Sequence, residues 1–166
     1  PLFFSGFLFT AGPKWLGVQP PATRQLLRPM VLQMAGWLLW IAAAHLHPAL
    51  AVGALLIAWL GLVDMVRIFW ALVRRSTADD QLHARTIGVA LLVGCASLAA
   101  LLAAVTLGAY AVTLACVLSA LWGFAVVGHV CVANRMIPFF TSSAMPFINA
   151  RRPFWALGLM VTVAAA

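Results

Sequence analysis

The chain has 166 residues, of which 65% are hydrophobic and only 8% are charged, and its mean hydropathy is +1.07. This composition excludes an ordinary soluble domain, because such domains are ~45–50% apolar and ~25% charged. The formal net charge of +7 does not indicate nucleic-acid binding, because the basic residues are divided among separate loops and form no single basic face.

Long uncharged apolar runs reach the ~20 residues that a helix needs to cross a bilayer, and they do not alternate like β-barrel strands. The sequence therefore predicts an all-α membrane protein, a polytopic helical bundle that forms one transmembrane region over residues 1–166. We predict about four complete and two partial transmembrane helices, and we expect an internal piece of a larger polytopic protein. The predicted complete spans are residues 30–47, 49–73, 86–107 and 109–133, with partial spans at 1–11 and from Pro153.

The positions of Lys and Arg predict the orientation in the membrane. Nine of the ten basic residues lie in three segments, 12–29, 74–85 and 134–152, while the turns near Pro48 and Gly108 have none. Basic residues accumulate in cytoplasmic loops of membrane proteins. We therefore predict that the three basic segments are cytoplasmic and that the two short turns face outward.

The tenth basic residue, Arg67, lies inside a predicted span together with Asp64. Residues three apart share a helix face, so these two side chains can form an ion pair. A charged side chain within a span is a candidate functional group. The alternative is a structural pair near the cytoplasmic end of the helix, with Arg67 reaching toward water.

Four histidines complete the set of candidate polar residues. His83 lies in the most polar loop, where we expect it to be solvated. His45 and His47 form an HxH pair beside a proline; joint metal binding requires the helix to unwind there, since residues two apart point ~200° apart. His129 lies within an apolar helix, where imidazole either binds a metal or haem or hydrogen-bonds a neighbouring helix.

Two stretches resemble the NnrS family of bacterial inner-membrane proteins, which is linked to nitric oxide and nitrosative stress. The first is GFLFTAGPKWLGV at residues 6–18, and the second is NRMIPFFTSSAMP at residues 134–146, preceded by GHVCV. Arg135 begins the second motif, an arginine followed by an apolar-Pro-Phe-Phe-Thr run. The family pattern also has a His-rich segment before the first motif, and some members have His where this chain has Asn134.

The resemblance implies a haem- and copper-associated protein of the bacterial inner membrane that acts in the nitric oxide response. It implies His129 and Arg135 as candidate cofactor-binding residues. Copper has candidate ligands in His45 and His47, or in Met30 and Met34, because imidazole and thioether groups both bind copper. The lipid bilayer, haem and copper are the expected partners.

Two other hypotheses about the function remain open. The first is a transporter or permease that uses Asp64 and Arg67 in a substrate or proton path, and the second is a structural membrane subunit. No catalytic or nucleotide-binding motif is present, so whether the chain is an enzyme stays open. Finally, we predict that Pro138 ends the fifth span, because proline removes a backbone donor. Residues 134–146 would then form a re-entrant or interfacial segment.

Overall fold

The helical bundle is seen in a computed structural model that describes residues 2–78, 80–144 and 154–165, with side chains over 4–78, 80–137 and 155–163. All regular structure in the described part is helical, which confirms the all-α prediction. Four helical segments are long and apolar enough to cross a membrane, as predicted. The helices are α1 (Leu2–Leu16), α2 (Thr23–Leu46), α3 (Pro48–Arg75), α4 (Leu82–Thr106), α5 (Thr113–Ala120), α6 (Val127–Ala144) and α7 (Phe154–Ala165).

The helices extend further into the basic segments than the sequence predicts. The non-helical link between α1 and α2 covers residues 17–22 alone, and Pro13 and Pro29 lie inside the two helices. Proline is tolerated in membrane helices, because neighbouring groups can satisfy the freed backbone carbonyl. The predicted helix boundaries at these prolines were therefore wrong.

The same correction applies to Pro138. Helix α6 continues through this position to Ala144, so the predicted break at the end of the fifth span was wrong. The first part of the NRMIPFFTSSAMP motif is helical, and residues 145–153 lie outside the described part of the chain. The proposed re-entrant segment is therefore untested beyond residue 144.

Helices α2 and α3 form the tightest helix pair of the bundle. A Cβ atom added to Gly36 would come within 2.7 Å of the Cα of Ala58, and one added to Gly61 would come within 2.9 Å of the carbonyl oxygen of Pro29. Glycine therefore lets the two backbones approach closely, as in many membrane helix pairs. The amide of Gln33 on α2 donates a 2.8 Å hydrogen bond to the backbone oxygen of Ala58.

The turn between α2 and α3 consists of one residue, His47. Its backbone is extended, and its Nδ1 accepts a 3.2 Å hydrogen bond from the backbone N–H of Ala49. Pro48 occupies the first helical position of α3, where its missing N–H costs nothing. The tight turn predicted from the His-Pro sequence is confirmed.

The described parts of the three basic segments meet at one end of the bundle, which we call the basic end. The hydroxyl of Ser76, after α3, donates a 2.9 Å hydrogen bond to the backbone oxygen of Leu16 at the end of α1. Gly17 adopts a positive φ of 65° there, beside Thr77. The turns at His47 and Gly108 follow one helix length later and lie at the opposite end. Among the residues that the structure describes, the basic residues thus gather toward one end of the bundle, and the end with the turns at His47 and Gly108 has none.

Candidate functional site

An apolar pocket of about 330 Å³ lies between α1, α2, α3, α4 and the segment that leads into α6. Most of its wall is aliphatic or aromatic, and its few polar groups include Ser5, Gln33 and His129. The Ser5 hydroxyl donates to the Met65 sulfur at 3.2 Å, and the Gln33 oxygen accepts from the Trp37 indole N–H at 3.1 Å. The aromatic and aliphatic lining residues are Phe4, Leu8, Trp37, Leu62, Leu91, Leu98, Phe124 and Ala125.

His129 lies on α6 at the rim of this apolar pocket, and its side chain is exposed. Its ring stacks on Phe4, with centroids 6.4 Å apart and an interplanar angle of 21°. Phe4 also meets Phe124 edge to face at 5.8 Å. Gly128 makes room for this arrangement, because a Cβ added there would lie 2.9 Å from the Phe4 ring. Phe4 therefore fixes one face of the imidazole.

The helix changes its hydrogen-bonding pattern directly before His129. Residues Leu121–Val126 form a π-helix, which is followed by α6. Phe124 and Ala125 in this π-helix line the apolar pocket. Single π-helical turns within longer helices occur frequently at functional sites. No sequence pattern predicts this π-helix, since the apolar run continues through it unchanged.

A second group of polar residues, the His83 cluster, lies at the basic end of the bundle. It consists of His83, Asn134, Asp80, Arg135 and Trp15. The His83 side chain is buried, with 1% exposure, and its Nε2 lies 3.1 Å from the Asn134 side-chain oxygen. Its Nδ1 lies 3.8 Å from an Asp80 oxygen. The expectation that His83 is solvated was wrong, because α4 begins at Leu82 and buries the ring against α6.

Arg135 joins the same cluster from α6. Its guanidinium nitrogen lies 3.6 Å from an Asp80 oxygen, and its central carbon lies 5.3 Å from the centroid of the Trp15 ring. A guanidinium within ~6 Å of an indole ring makes a favourable cation–π contact. The Arg135 side chain is 16% exposed, so it belongs to the interior of this end of the bundle.

A third feature, the arginine pocket, lies between the start of α2 and the end of α3 and has a volume of about 580 Å³. Asp64 is paired there with Arg28, with Nε and Oδ2 3.3 Å apart. No ion pair links Asp64 to Arg67 in the described part of the chain, so the pairing predicted from their spacing is wrong. The charged residues that line the pocket are Arg24, Arg28, Asp64, Arg67 and Arg75.

The two sequence motifs of the resemblance meet in the His83 cluster, through Trp15 of the first and Asn134 and Arg135 of the second. The model of the NnrS protein family matches residues 1–166, the whole chain. The chain belongs to the NnrS family. No curated relative and no solved structure matches it. Membership supports, at family level, a multi-pass bacterial membrane protein with a role in the nitric oxide response.

The residues around His129 supply two features of a haem ligand position, and haem is associated with the NnrS family. A haem ligand position needs an imidazole next to an apolar, aromatic wall, and His129 with Phe4, Trp37 and Phe124 has these properties. No hydrogen bond to the His129 ring occurs within the described side chains, so a ring nitrogen remains available for a metal. The pocket volume of about 330 Å³ is at the low end of small-molecule sites, ~300–1,000 Å³, so a porphyrin would extend beyond it.

Copper has a weaker structural basis in this NnrS chain. No group of three or more His, Cys, Asp or Glu side chains is placed to hold a metal in the described part of the chain. His45 and His47 are exposed at the end of the bundle without basic residues, and His47 already uses Nδ1 to cap α3. Unwinding at His47 does occur, as joint ligation requires, but these two residues alone do not complete a copper site.

Sequence reasoning missed the His83 cluster as a site, although one signal was available. His83 and Ile87 are four residues apart and both face the core at the start of α4. Had the helix been extended back into the polar loop, this spacing would have predicted a buried His83. The partners Asn134 and Trp15 were not predictable, because no local pattern relates residues so distant in sequence.

Proposed function

We propose that this NnrS protein acts in the response to nitric oxide and nitrosative stress as a haem-associated membrane protein, with His129 as the ligand to the iron. The observation that carries the proposal is the position of His129 at the rim of the apolar pocket, with one ring face held by Phe4. A bound haem would supply an iron centre able to bind nitric oxide.

The protein residues would orient the ligand and keep water away from it. Phe4 restricts rotation of the His129 ring by stacking on it, and Phe124 supports Phe4 by an edge-to-face contact. The π-helix places Phe124 and Ala125 against the pocket, next to the turn that holds His129. Direct contact of Arg135 with the cofactor stays a prediction, because its contacts are with Asp80 and Trp15.

Absorption spectra of the purified full-length protein test the haem proposal. We expect a Soret band that is lost or strongly reduced in His129→Ala and partly restored by added imidazole. His45→Ala is the matched control, since it removes an exposed histidine that lies near the end of α2 and does not line the apolar pocket. It should leave the haem content unchanged. An unaltered Soret band in His129→Ala would exclude this residue as the ligand.

Copper binding with His45 and His47 as two of the ligands is a separate part of the proposal. A His45→Ala/His47→Ala double variant of the full-length protein should lose copper, as measured by metal analysis, while its haem spectrum is retained. Unchanged copper content would remove these two residues and direct attention to Met30 and Met34.

The alternative function, transport through Asp64 and Arg67, is favoured by one observation. Both side chains line the arginine pocket, which has a polar lining and reaches the basic end of the bundle. A transporter would show substrate uptake that depends on Asp64, in a protein that contains neither haem nor copper. A Soret band together with wild-type growth of Asp64→Asn cells under nitric oxide would count against it.

A further inference from the structure

The arginine pocket has an unusual balance of charge. Four arginine side chains line it, and the only carboxylate among its lining residues is Asp64, which leaves a net charge of +3. Asp64 is already paired with Arg28. The charges of Arg24, Arg67 and Arg75 therefore face a shared cavity of about 580 Å³ without a carboxylate partner in the described part of the chain.

Arg67 is the member of this group that is hardest to explain as a surface charge. It lies in α3, two turns before the helix ends at Arg75, within a segment able to span the membrane. A charged side chain at such a position is usually paired or faces a polar cavity, because transfer into lipid is costly. Here the cavity wall opposite Arg67 is formed by the start of α2, which contributes more positive charge.

The start of α2 adds a second favourable feature for an anion. The N-cap residue, Ala22, makes no side-chain cap, and the first turn contains no acidic residue. The uncapped N–H groups and the helix dipole favour negative charge at this position. Pro20 and Pro21 also line the pocket and restrict the backbone there. The helix dipole and the arginine side chains thus both favour a negatively charged ligand.

We propose that the arginine pocket binds a phosphate-bearing anion through Arg24, Arg67 and Arg75. Guanidinium groups match phosphate oxygens with paired hydrogen bonds, and basic pockets between membrane helices bind anionic phospholipid headgroups. The phosphate comes from an anionic lipid or from a soluble phosphate compound. The Arg28–Asp64 pair does not contact the ligand in this proposal; it holds α2 against α3 at the pocket wall.

Calorimetric titration of the purified full-length protein in a neutral detergent tests this site. The probes are short-chain phosphatidylglycerol, short-chain phosphatidylcholine and inorganic phosphate. We expect phosphatidylglycerol to bind the parent protein at least about tenfold more tightly than phosphatidylcholine, and binding to weaken as salt is raised. We expect Arg24→Gln/Arg67→Gln to weaken phosphatidylglycerol binding by about tenfold or more, since two charge-assisted contacts are lost.

The matched control is Lys14→Gln/Arg85→Gln, which removes two exposed charges at the same end of the bundle but outside the pocket. Its affinity for phosphatidylglycerol should stay within about twofold of the parent, because all the arginines of the pocket are retained. The control and the pocket variant have the same change in net charge, so a difference in affinity between them reflects contacts within the pocket. If Arg24→Gln/Arg67→Gln does not fold, Arg24→Lys/Arg67→Lys replaces it; loss of paired hydrogen bonds should still weaken binding severalfold.

Each arm of the titration gives a decision. Inorganic phosphate that binds and displaces phosphatidylglycerol shows that phosphate alone is sufficient and assigns the site to a soluble phosphate compound, whereas phosphatidylglycerol binding without competition assigns the site to lipid. The proposal is overturned if neither phosphatidylglycerol nor inorganic phosphate binds more tightly than phosphatidylcholine, or if the pocket variant binds the tighter of these two probes as tightly as the control variant does.

Discussion

The Nε2 atom of His83 lies 3.1 Å from the side-chain oxygen of Asn134, although 51 residues separate the two in sequence. This contact joins the start of α4 to α6, close to the point where Arg135 meets Trp15 of α1. Three helices are thereby connected through polar side chains at the basic end of the bundle. The two NnrS motifs are parts of one structural unit, and Asn134 and Arg135 of this unit lie on the same helix as His129.

Replacing His83 with phenylalanine should destabilise the protein. The ring is buried, so the change leaves the Asn134 oxygen without this partner, at a cost of ~1–3 kcal/mol in the free energy of unfolding. Thermal unfolding in detergent measures the loss. His45→Phe, at an exposed position, should change stability by less than ~0.5 kcal/mol.

The paired variant His83→Phe/Asn134→Leu sharpens this prediction. Replacing both partners of a hydrogen bond with apolar groups costs less than the sum of the single changes. A double-mutant cycle should therefore show coupling of more than ~0.5 kcal/mol. Strictly additive losses would mean that the contact does not contribute to stability.

Arg135→Gln should lower stability through the loss of two contacts, the cation–π interaction with Trp15 and the ion pair with Asp80. The cation–π contact is worth ~0.5–2 kcal/mol, and the ion pair adds less than ~1 kcal/mol because the Asp80 side chain is exposed. Arg135→Lys keeps the charge but loses the flat stacking surface, and we expect an intermediate unfolding temperature. In a Trp15→Leu background, Arg135→Lys should change the unfolding temperature much less than it does in the parent protein. An equally large change would contradict the contact between Arg135 and the Trp15 ring.

Two glycines form a matched pair that tests the close packing of α2 on α3. Gly36→Ala should cost ~1–3 kcal/mol, because the new Cβ would collide with the backbone of Ala58. Gly53→Ala meets no atom within 4 Å and should be neutral or stabilise by ~0.5–1 kcal/mol, since alanine is the better helix former. Thermal unfolding measures the stability of both variants. Equal changes in stability would argue against close packing of α2 on α3.

The predicted orientation can be tested by chemical labelling. In a variant without the native cysteines, Thr77→Cys at the basic end and Tyr110→Cys at the other end both place a thiol at an exposed position. A membrane-impermeant maleimide should label Tyr110→Cys in intact spheroplasts but should label Thr77→Cys only after lysis, because basic segments remain in the cytoplasm. The reverse pattern would invert the predicted topology.

The number and position of the spans were predictable from residues alone, whereas the exact helix ends were not. Prolines 13, 29 and 138 were each expected to end or exclude a helix, and all three lie inside one. Proline has a strong local effect in water, but a packed bundle can satisfy the groups it frees. The local rule therefore failed at positions where neighbouring helices compensate.

The candidate site residues were also predictable only in part. His129 was selected as an imidazole in an apolar helix, and the structure places it at the rim of a pocket. Asp64 and Arg67 were expected to pair by spacing, but α2 brings Arg28 to Asp64 instead. Partner choice depends on which helix packs alongside, and spacing along one helix carries no information about that.

The sequence by itself determined the class of this protein, its number of long spans and its division into one basic end and one end without basic residues. The thickness of the hydrocarbon layer fixes the length of an apolar span, and charge is costly inside it, so both properties are visible in composition. Only the tertiary structure decided that His83 is buried against Asn134 and that Arg67 faces the arginine pocket. Those relationships depend on contacts between helices far apart in the chain, which are fixed by packing.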